Sequence, residues 1–111
     1  MYNRNNKYHN IRTAAFDSRK EERRFYELRL LERAGAISGL KRQVTVELIP
    51  AQYIDGKCVE RSVKYVADFC YIENGALVYE DVKSEITRKN KDYIIKRKLL
   101  LYMHTIRLRE T

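Results

Sequence analysis

Two alternating runs separated by a tight turn constrain this chain more than any other feature. In Ser62–Tyr71, Val63, Tyr65, Ala67, Phe69 and Tyr71 share one parity, and Ser62, Lys64, Val66, Asp68 and Cys70 share the other. Leu77–Lys83 alternates again, with Leu77, Tyr79, Asp81 and Lys83 at one parity. Successive side chains of a strand point to opposite faces, so each parity predicts a face. Glu73-Asn74-Gly75 lies between the runs, and Asn-Gly supplies the positive φ that a tight hairpin requires. The pair therefore predicts an antiparallel hairpin, which needs further strands or a helix to be stable.

The flanking segments supply them. Val44, Val46 and Leu48 alternate with Thr45 and Glu47 until Pro50 ends the run, and Ile54-Asp55-Gly56-Lys57 is a second turn. Upstream the period is helical. Ser18 and Glu21 have capping-box spacing, Phe16 sits where a staple residue would, and Phe25, Leu28 and Leu31 form the apolar stripe. With Gly35 as a stop, the helix is expected from about Arg19 to Ala34. A second helix is expected from about Thr87 to His104, with Ile95, Leu99 and Tyr102 as its apolar side and Lys91 and Lys98 on the margin. Ile106–Arg109 is expected to be a short edge strand. Residues 1–12 (MYNRNNKYHNIR) lack apolar periodicity and read as a flexible basic arm, leaving 13–111 as one domain. Helix, strands, helix, strand makes the fold class α/β.

Charge speaks to partners. The chain carries a net +8 in 111 residues, with nine tyrosines, and its cations recur along the whole length. Such a balance suits a polyanion, and nucleic acid is the usual one. Arg4, Lys7 and Arg12 in the arm, with Lys91 and Lys98 in the second helix, are the expected phosphate contacts. Cys58 and Cys70 have no second ligand at metal spacing and are expected to be reduced. No apolar run is long enough for a bilayer, and the polar N-terminus is not a secretory signal. The expected compartment is the cytoplasm.

The chemistry should lie on the hairpin. Carboxylates inside apolar strands are costly unless they are paired, bound to metal or placed at strand ends. Asp68 and Asp81 fall on neighbouring strands, and Lys83 shares the parity of Asp81, one residue pair (~6–7 Å) further along. Phosphodiester hydrolysis uses such a set. Carboxylates hold a hard divalent cation that lowers the pKa of a bound water, and an ammonium orients that water or steadies developing charge. The bland alternative is a cross-strand salt bridge from Lys83 to one of the aspartates. Asp55-Gly56-Lys57 has the same acid-x-Lys spacing but sits in a turn without an acidic partner strand. Glu21 lies on the helix face expected to pack on the sheet, although a pure capping role explains it equally well. Glu22 points away from that face, and Glu80 has the opposite parity to Asp81 and reads as structural.

The order Ser18-x-x-Glu21, Gln43 at a strand start, Tyr65-Val66-Ala67-Asp68-Phe69, then Val78-Tyr79-Glu80-Asp81-Val82-Lys83 resembles the PD-(D/E)XK nuclease superfamily. More closely, the chain is similar to a family of small phage-encoded proteins within it, catalogued as a domain of unknown function. The likeness covers about Lys7 to Leu108. It implies a restriction-endonuclease-like α/β/α core with a mixed sheet, Mg²⁺- or Mn²⁺-dependent DNA cleavage and a homodimer. Under it, Asp68 and Asp81 are metal ligands with the carbonyl of Val82, and Lys83 orients the water. Glu21 completes the metal shell through water, and Gln43 positions the site. Ala67 stands where the superfamily pattern has proline. In size and charge the chain also resembles small Holliday-junction resolvases, which makes branched DNA the expected substrate. No organic cofactor or membrane is implied. The competing reading is a non-catalytic nucleic-acid-binding module. His9 and His104 have no partnered acid or nucleophile at readable spacing, and His104 is expected to serve the helix end.

Overall fold

The structure is a computed structural model and describes residues 18–111. Helix α1 (Arg19–Arg33) leads into strand β1 (Ser38–Ile49). A small ribbon follows, β2 (Gln52–Ile54) and β3 (Lys57–Glu60), and then the hairpin β4 (Val63–Glu73) and β5 (Ala76–Asp81). A short helix α2 (Glu85–Arg88), helix α3 (Lys91–His104) and strand β6 (Arg109–Glu110) complete the chain. The main sheet has the order β1-β4-β5-β6. β1, β4 and β5 are antiparallel, and β6 joins β5 in parallel, so the sheet is mixed, as expected. The basic arm, the Phe16 staple and His9 lie outside the described residues. Among the described residues no helix is long and apolar enough to cross a membrane.

Both hairpin turns form where their residues demand. Asn74 and Gly75 have φ of 51° and 78°, and Asp55 and Gly56 have 50° and 80°. Each pair is left-handed at both central positions, the requirement of a two-residue turn that matches strand twist. Helix α1 begins as its sequence predicts, with Ser18 Oγ accepting from the backbone N–H of Glu21 at 3.0 Å.

Four boundaries differ from expectation. β5 ends at Asp81, so Lys83 lies just beyond the strand expected to carry it. β1 starts at Ser38, six residues before Val44, because Ser38 and the polar Lys41 and Arg42 still pair with β4. The expected helix from Thr87 is two helices. Ser84 caps the first and Asn90 caps the second, each side chain accepting the N–H three residues on. The last strand is Arg109–Glu110 because Ile106 and Leu108 turn into the core instead. The apolar side of α3 also differs. Tyr93 and Leu100 are buried, whereas Ile95 is 57% and Tyr102 83% exposed. This helix is apolar on several sides, so periodicity offered competing stripes, and the contact of Tyr93 with Tyr65 selects one.

Two clusters form the core. Leu28, Ile37, Phe69 and Tyr71 pack with Phe25, Leu40, Val78 and Val82 beneath α1. Leu48, Tyr65, Ala67, Tyr93, Leu100 and Leu108 pack with Val46 and Tyr79 beneath α3. Val78 and Tyr79 are adjacent on β5, so the clusters occupy opposite faces of the sheet. It follows that the strict parity expected for β4 fails. Tyr65 and Ala67 face α3, but Phe69 and Tyr71 face α1.

β1 changes phase at the same place, since Val46 packs beneath α3 whereas the Arg42 guanidinium lies 5.3 Å from the Phe25 ring of α1. Gln43, level with Asp68 between the pairs Arg42↔Phe69 and Val44↔Ala67, has φ of 52°. A non-glycine residue at such a φ inside a strand is uncommon and costs energy. The phase break buries five consecutive residues, Ala67–Tyr71, and places Asp68 among them.

Candidate active site

The β4–β5 ladder ends beside this break. Phe69 pairs with Glu80, so the next rung brings Asp68 level with Asp81. There the aspartates take over from the backbone. The N–H of Asp68 donates to Asp81 Oδ1 at 2.6 Å, and the N–H of Val82 donates to Asp68 Oδ2 at 2.9 Å. This reciprocal pair satisfies two amides that the diverging strands would leave without partners. It also ties both carboxylates to one rung at the end of the β4–β5 ladder.

Asp81 is fully buried and Asp68 is 9% exposed. The second oxygen of Asp81, Oδ2, is buried and has no hydrogen bond among the described residues, and the Lys83 ammonium stands 3.4 Å from it. That spacing is an ion pair without the close alignment of a charge-assisted hydrogen bond. Burial pushes the Asp81 carboxyl above its usual range. The Asp68 amide and Lys83 oppose the shift without cancelling it, and the Glu110 carboxylate adds to it.

Lys83 is itself confined. Its Nζ lies 4.9 Å from the Tyr93 ring centroid and 5.9 Å from that of Tyr65. The Tyr93 hydroxyl donates to Glu110 Oε2. Burial and this carboxylate together push the phenol well above its ordinary value, so it stays a neutral donor. On the other side, Lys20 of α1 donates from Nζ to the backbone carbonyl of Lys83 at 3.3 Å.

Glu21 and Gln43 approach from α1 and β1. Glu21 is 3% exposed, and its Oε2 accepts from Gln43 Nε2 at 3.3 Å. Gln43 thus links the helix acid to the rung that carries Asp68. The amide of Glu21 serves the cap while its carboxylate faces the sheet, so capping alone does not describe this residue. Val82 contributes its amide to Asp68 and its side chain to the α1 cluster.

Glu80, one residue before Asp81, lies on the opposite face and is structural, as its parity suggested. It is also fully buried, but every direction around it is filled. Arg24 donates from Nε and a terminal nitrogen at 2.6 and 3.0 Å, Tyr71 donates its hydroxyl, and Thr111 Oγ1 donates at 3.1 Å. Burial alone would raise this carboxyl, but Arg24 and Tyr71 reverse the sign and hold it below its usual range.

Of the expected phosphate contacts, Lys91 and Lys98 are exposed on α3, and Arg4, Lys7 and Arg12 lie outside the described residues. His104 at the end of α3 sits 2.6 Å from the carbonyl of Glu47, tying helix to strand. Cys58 is exposed and Cys70 buried, both free thiols. Sequence reasoning missed Arg24, Thr111 and the role of Tyr93 beneath Lys83. No local pattern could have found them, because Arg24 and Glu80 are 56 residues apart.

The donor set at Asp68 and Asp81 consists of hard oxygens, and a buried carboxylate oxygen without a hydrogen bond suits a hard divalent cation. Among the described residues no three His, Cys, Asp or Glu side chains converge on one point. The protein would therefore supply two carboxylates and leave the remaining positions to backbone, water and substrate. Neither the curated proteins nor the solved structures contain a match to this sequence. A family model does match, over residues 1–110, and the chain belongs to that family, described as Protein of unknown function (DUF1064).

Proposed function

We propose that the protein is a metal-dependent DNA endonuclease with Asp68, Asp81 and Lys83 at its centre. One observation carries the reading. Asp81 is fully buried, and among the described residues its Oδ2 has no hydrogen bond and the Lys83 ammonium stands 3.4 Å away. A salt bridge kept for stability would close that gap, as Arg24 and Glu80 do one residue away. The element order is that of the likeness to PD-(D/E)XK nucleases, with the helix acid first, then the strand aspartate, then Asp81-Val82-Lys83 at the end of β5.

In this reading Asp68 and Asp81, with the carbonyl of Val82 and the carboxylate of Glu21, would hold Mg²⁺ or Mn²⁺. The cation, when bound, supplies Lewis acidity at a phosphate oxygen and a water of lowered pKa. Lys83 then orients the attacking water, held in place by the Tyr93 and Tyr65 rings beneath it. Gln43 keeps the Glu21 carboxylate turned toward the aspartate rung. The net charge of +8 draws a polyanion to the site. We assign branched or otherwise structured DNA as substrate, a homodimer as the working form, and the cytoplasm of a phage-infected cell as the compartment.

The second reading, a non-catalytic nucleic-acid-binding module, is favoured by the absence of a third converging acid among the described residues. It leaves unexplained why two buried carboxylates are tied to one rung of the hairpin. The deciding experiment incubates the protein with duplex, single-stranded, flap and four-way-junction DNA in Mg²⁺ or Mn²⁺. Cleavage of at least one substrate, abolished by chelation, is expected. Binding without cleavage of any substrate establishes the module.

A further inference from the structure

A cavity of about 550 Å³ opens between the second half of α3 and residues 106–110. Its volume falls within the range of roughly 300–1,000 Å³ typical of small-molecule sites. Arg97, Lys98 and Arg107 supply three cations, and Leu101, Ile106 and Leu108 supply apolar surface. Its one carboxylate, Glu110, is already engaged. It accepts from Tyr93, and Arg97 and Arg88 stand 3.8 and 4.0 Å from it. The remaining field is positive.

The cavity is coupled to the aspartate rung. Glu110 pairs with Asp81 across the parallel β5–β6 ladder, and adjacent strands lie ~4.8 Å apart. Tyr93 joins the two places, with its ring under the Lys83 ammonium and its hydroxyl on the cavity wall at Glu110. Arg97 also lies over the same ring, its guanidinium carbon 5.8 Å from the centroid.

Cations beside an apolar floor fit a group that is anionic at one end and flat and weakly polar at the other. A nucleoside phosphate has that form, whereas bare phosphate leaves the Leu101 and Ile106 surface unused. We infer that this cavity is a nucleotide subsite. It receives one unpaired nucleotide of the strand whose neighbouring phosphate lies at Asp68 and Asp81. Lys98 and Arg107 contact its phosphate, and its base lies over Leu101 and Ile106. The inference rests on the nuclease reading for its substrate, and it adds that the strand beside the scissile phosphate is unpaired.

The test is binding without metal, so that it does not depend on cleavage. Full-length wild type, Lys98→Glu and Arg107→Glu are titrated in chelator by fluorescence polarisation. The probes are a blunt duplex and the same duplex carrying a single-stranded thymidine tail. Both substituted residues are exposed, and unchanged melting temperatures establish that the variants fold. Each charge reversal is expected to weaken tailed-duplex binding at least about tenfold more than blunt-duplex binding, which loses only the general attraction that any cation gives a polyanion. Leu101→Asp is expected to reproduce the selective loss without removing a cation. Equal losses on both probes, or no loss, overturn the subsite. Competition by free thymidine monophosphate, with no tail preference in wild type, also overturns it by making the ligand a free nucleotide. Tail-selective binding that responds to these variants in a protein that never cleaves leaves the subsite standing while the nuclease reading fails.

Discussion

Glu80 and Asp81 are consecutive, equally buried and electrostatically opposite. Glu80 faces α1, where a bidentate guanidinium and two hydroxyls fill its coordination and hold its carboxyl low. Asp81 faces α3, where one amide and a more distant ammonium leave its carboxyl raised. Desolvation disfavours charge at both, so the difference lies wholly in the partners. A buried charge that is fully partnered belongs to the scaffold. One that is underpartnered, with its carboxyl raised, is a candidate for a ligand. Perturbed groups of this second kind concentrate at functional sites.

The largest stability effect should come from the scaffold side. Arg24→Ala leaves Glu80 buried without its cation, and losses of about 3–5 kcal/mol are usual for breaking such a pair. Chemical denaturation should show this loss. A loss below about 1 kcal/mol would mean that Tyr71 and Thr111 suffice, and the contrast with Asp81 would weaken.

The pH dependence of stability should separate the two acids next. Unfolded carboxyls titrate near pH 4. Glu80, held lower when folded, contributes stability that is fully present above that range and is lost as pH falls through its folded value. Asp81, held higher when folded, does the reverse. Its ionisation costs stability above its folded pKa, and that cost disappears as the pH falls below about 4. Glu80→Gln should therefore be most destabilised relative to wild type at neutral pH, and the gap should close in acid. Asp81→Asn, measured without metal, should equal or exceed wild type at neutral pH, with the advantage vanishing in acid. Parallel curves for the two variants would remove the distinction.

A smaller effect tests the cation. A ligand that binds only the folded state stabilises it by RT ln(1 + [L]/Kd), about 1.4 kcal/mol at a concentration near ten times Kd. Mg²⁺ should raise the melting temperature of wild type, and the rise should be absent in Asp81→Asn but retained in Lys83→Ala. Equal shifts in all three proteins would place the ion elsewhere. The smallest effect concerns strain. Gln43→Gly relieves a left-handed φ worth about 1 kcal/mol and removes the contact with Glu21. Stability should rise slightly while cleavage falls, and a rise in both would deny Gln43 a positioning role.

Much of this molecule was legible in the sequence, and what was hidden has a physical reason. The two Gly turns, the Ser18 cap and the β4–β5 hairpin rest on local chemistry, and all are found. So is the adjacency of Asp68, Asp81 and Lys83, because hairpin register follows from the turn. The switch of faces between Ala67 and Phe69 was not legible. It depends on a phase break that β4 makes together with β1 at Gln43, and alternation within one strand carries no sign of its partner. The exposed side of α3 was misread because its apolar residues surround the axis and tertiary contact alone chooses among them. The Arg24–Glu80 pair joins residues distant in sequence, and the cavity beside β6 forms only where α3 packs against residues 106–110, neither of which periodicity registers.

The account stands most directly on one paired measurement, the cleavage rate and the metal-free melting temperature of Asp81→Asn. Asparagine keeps the shape of the side chain and its acceptor for the Asp68 amide, but it removes the charge that would hold a cation. The proposed site requires cleavage to fall by at least about a hundredfold while the melting temperature stays equal or rises. A variant that loses melting temperature and cleavage together, or one that cleaves like wild type, would contradict it.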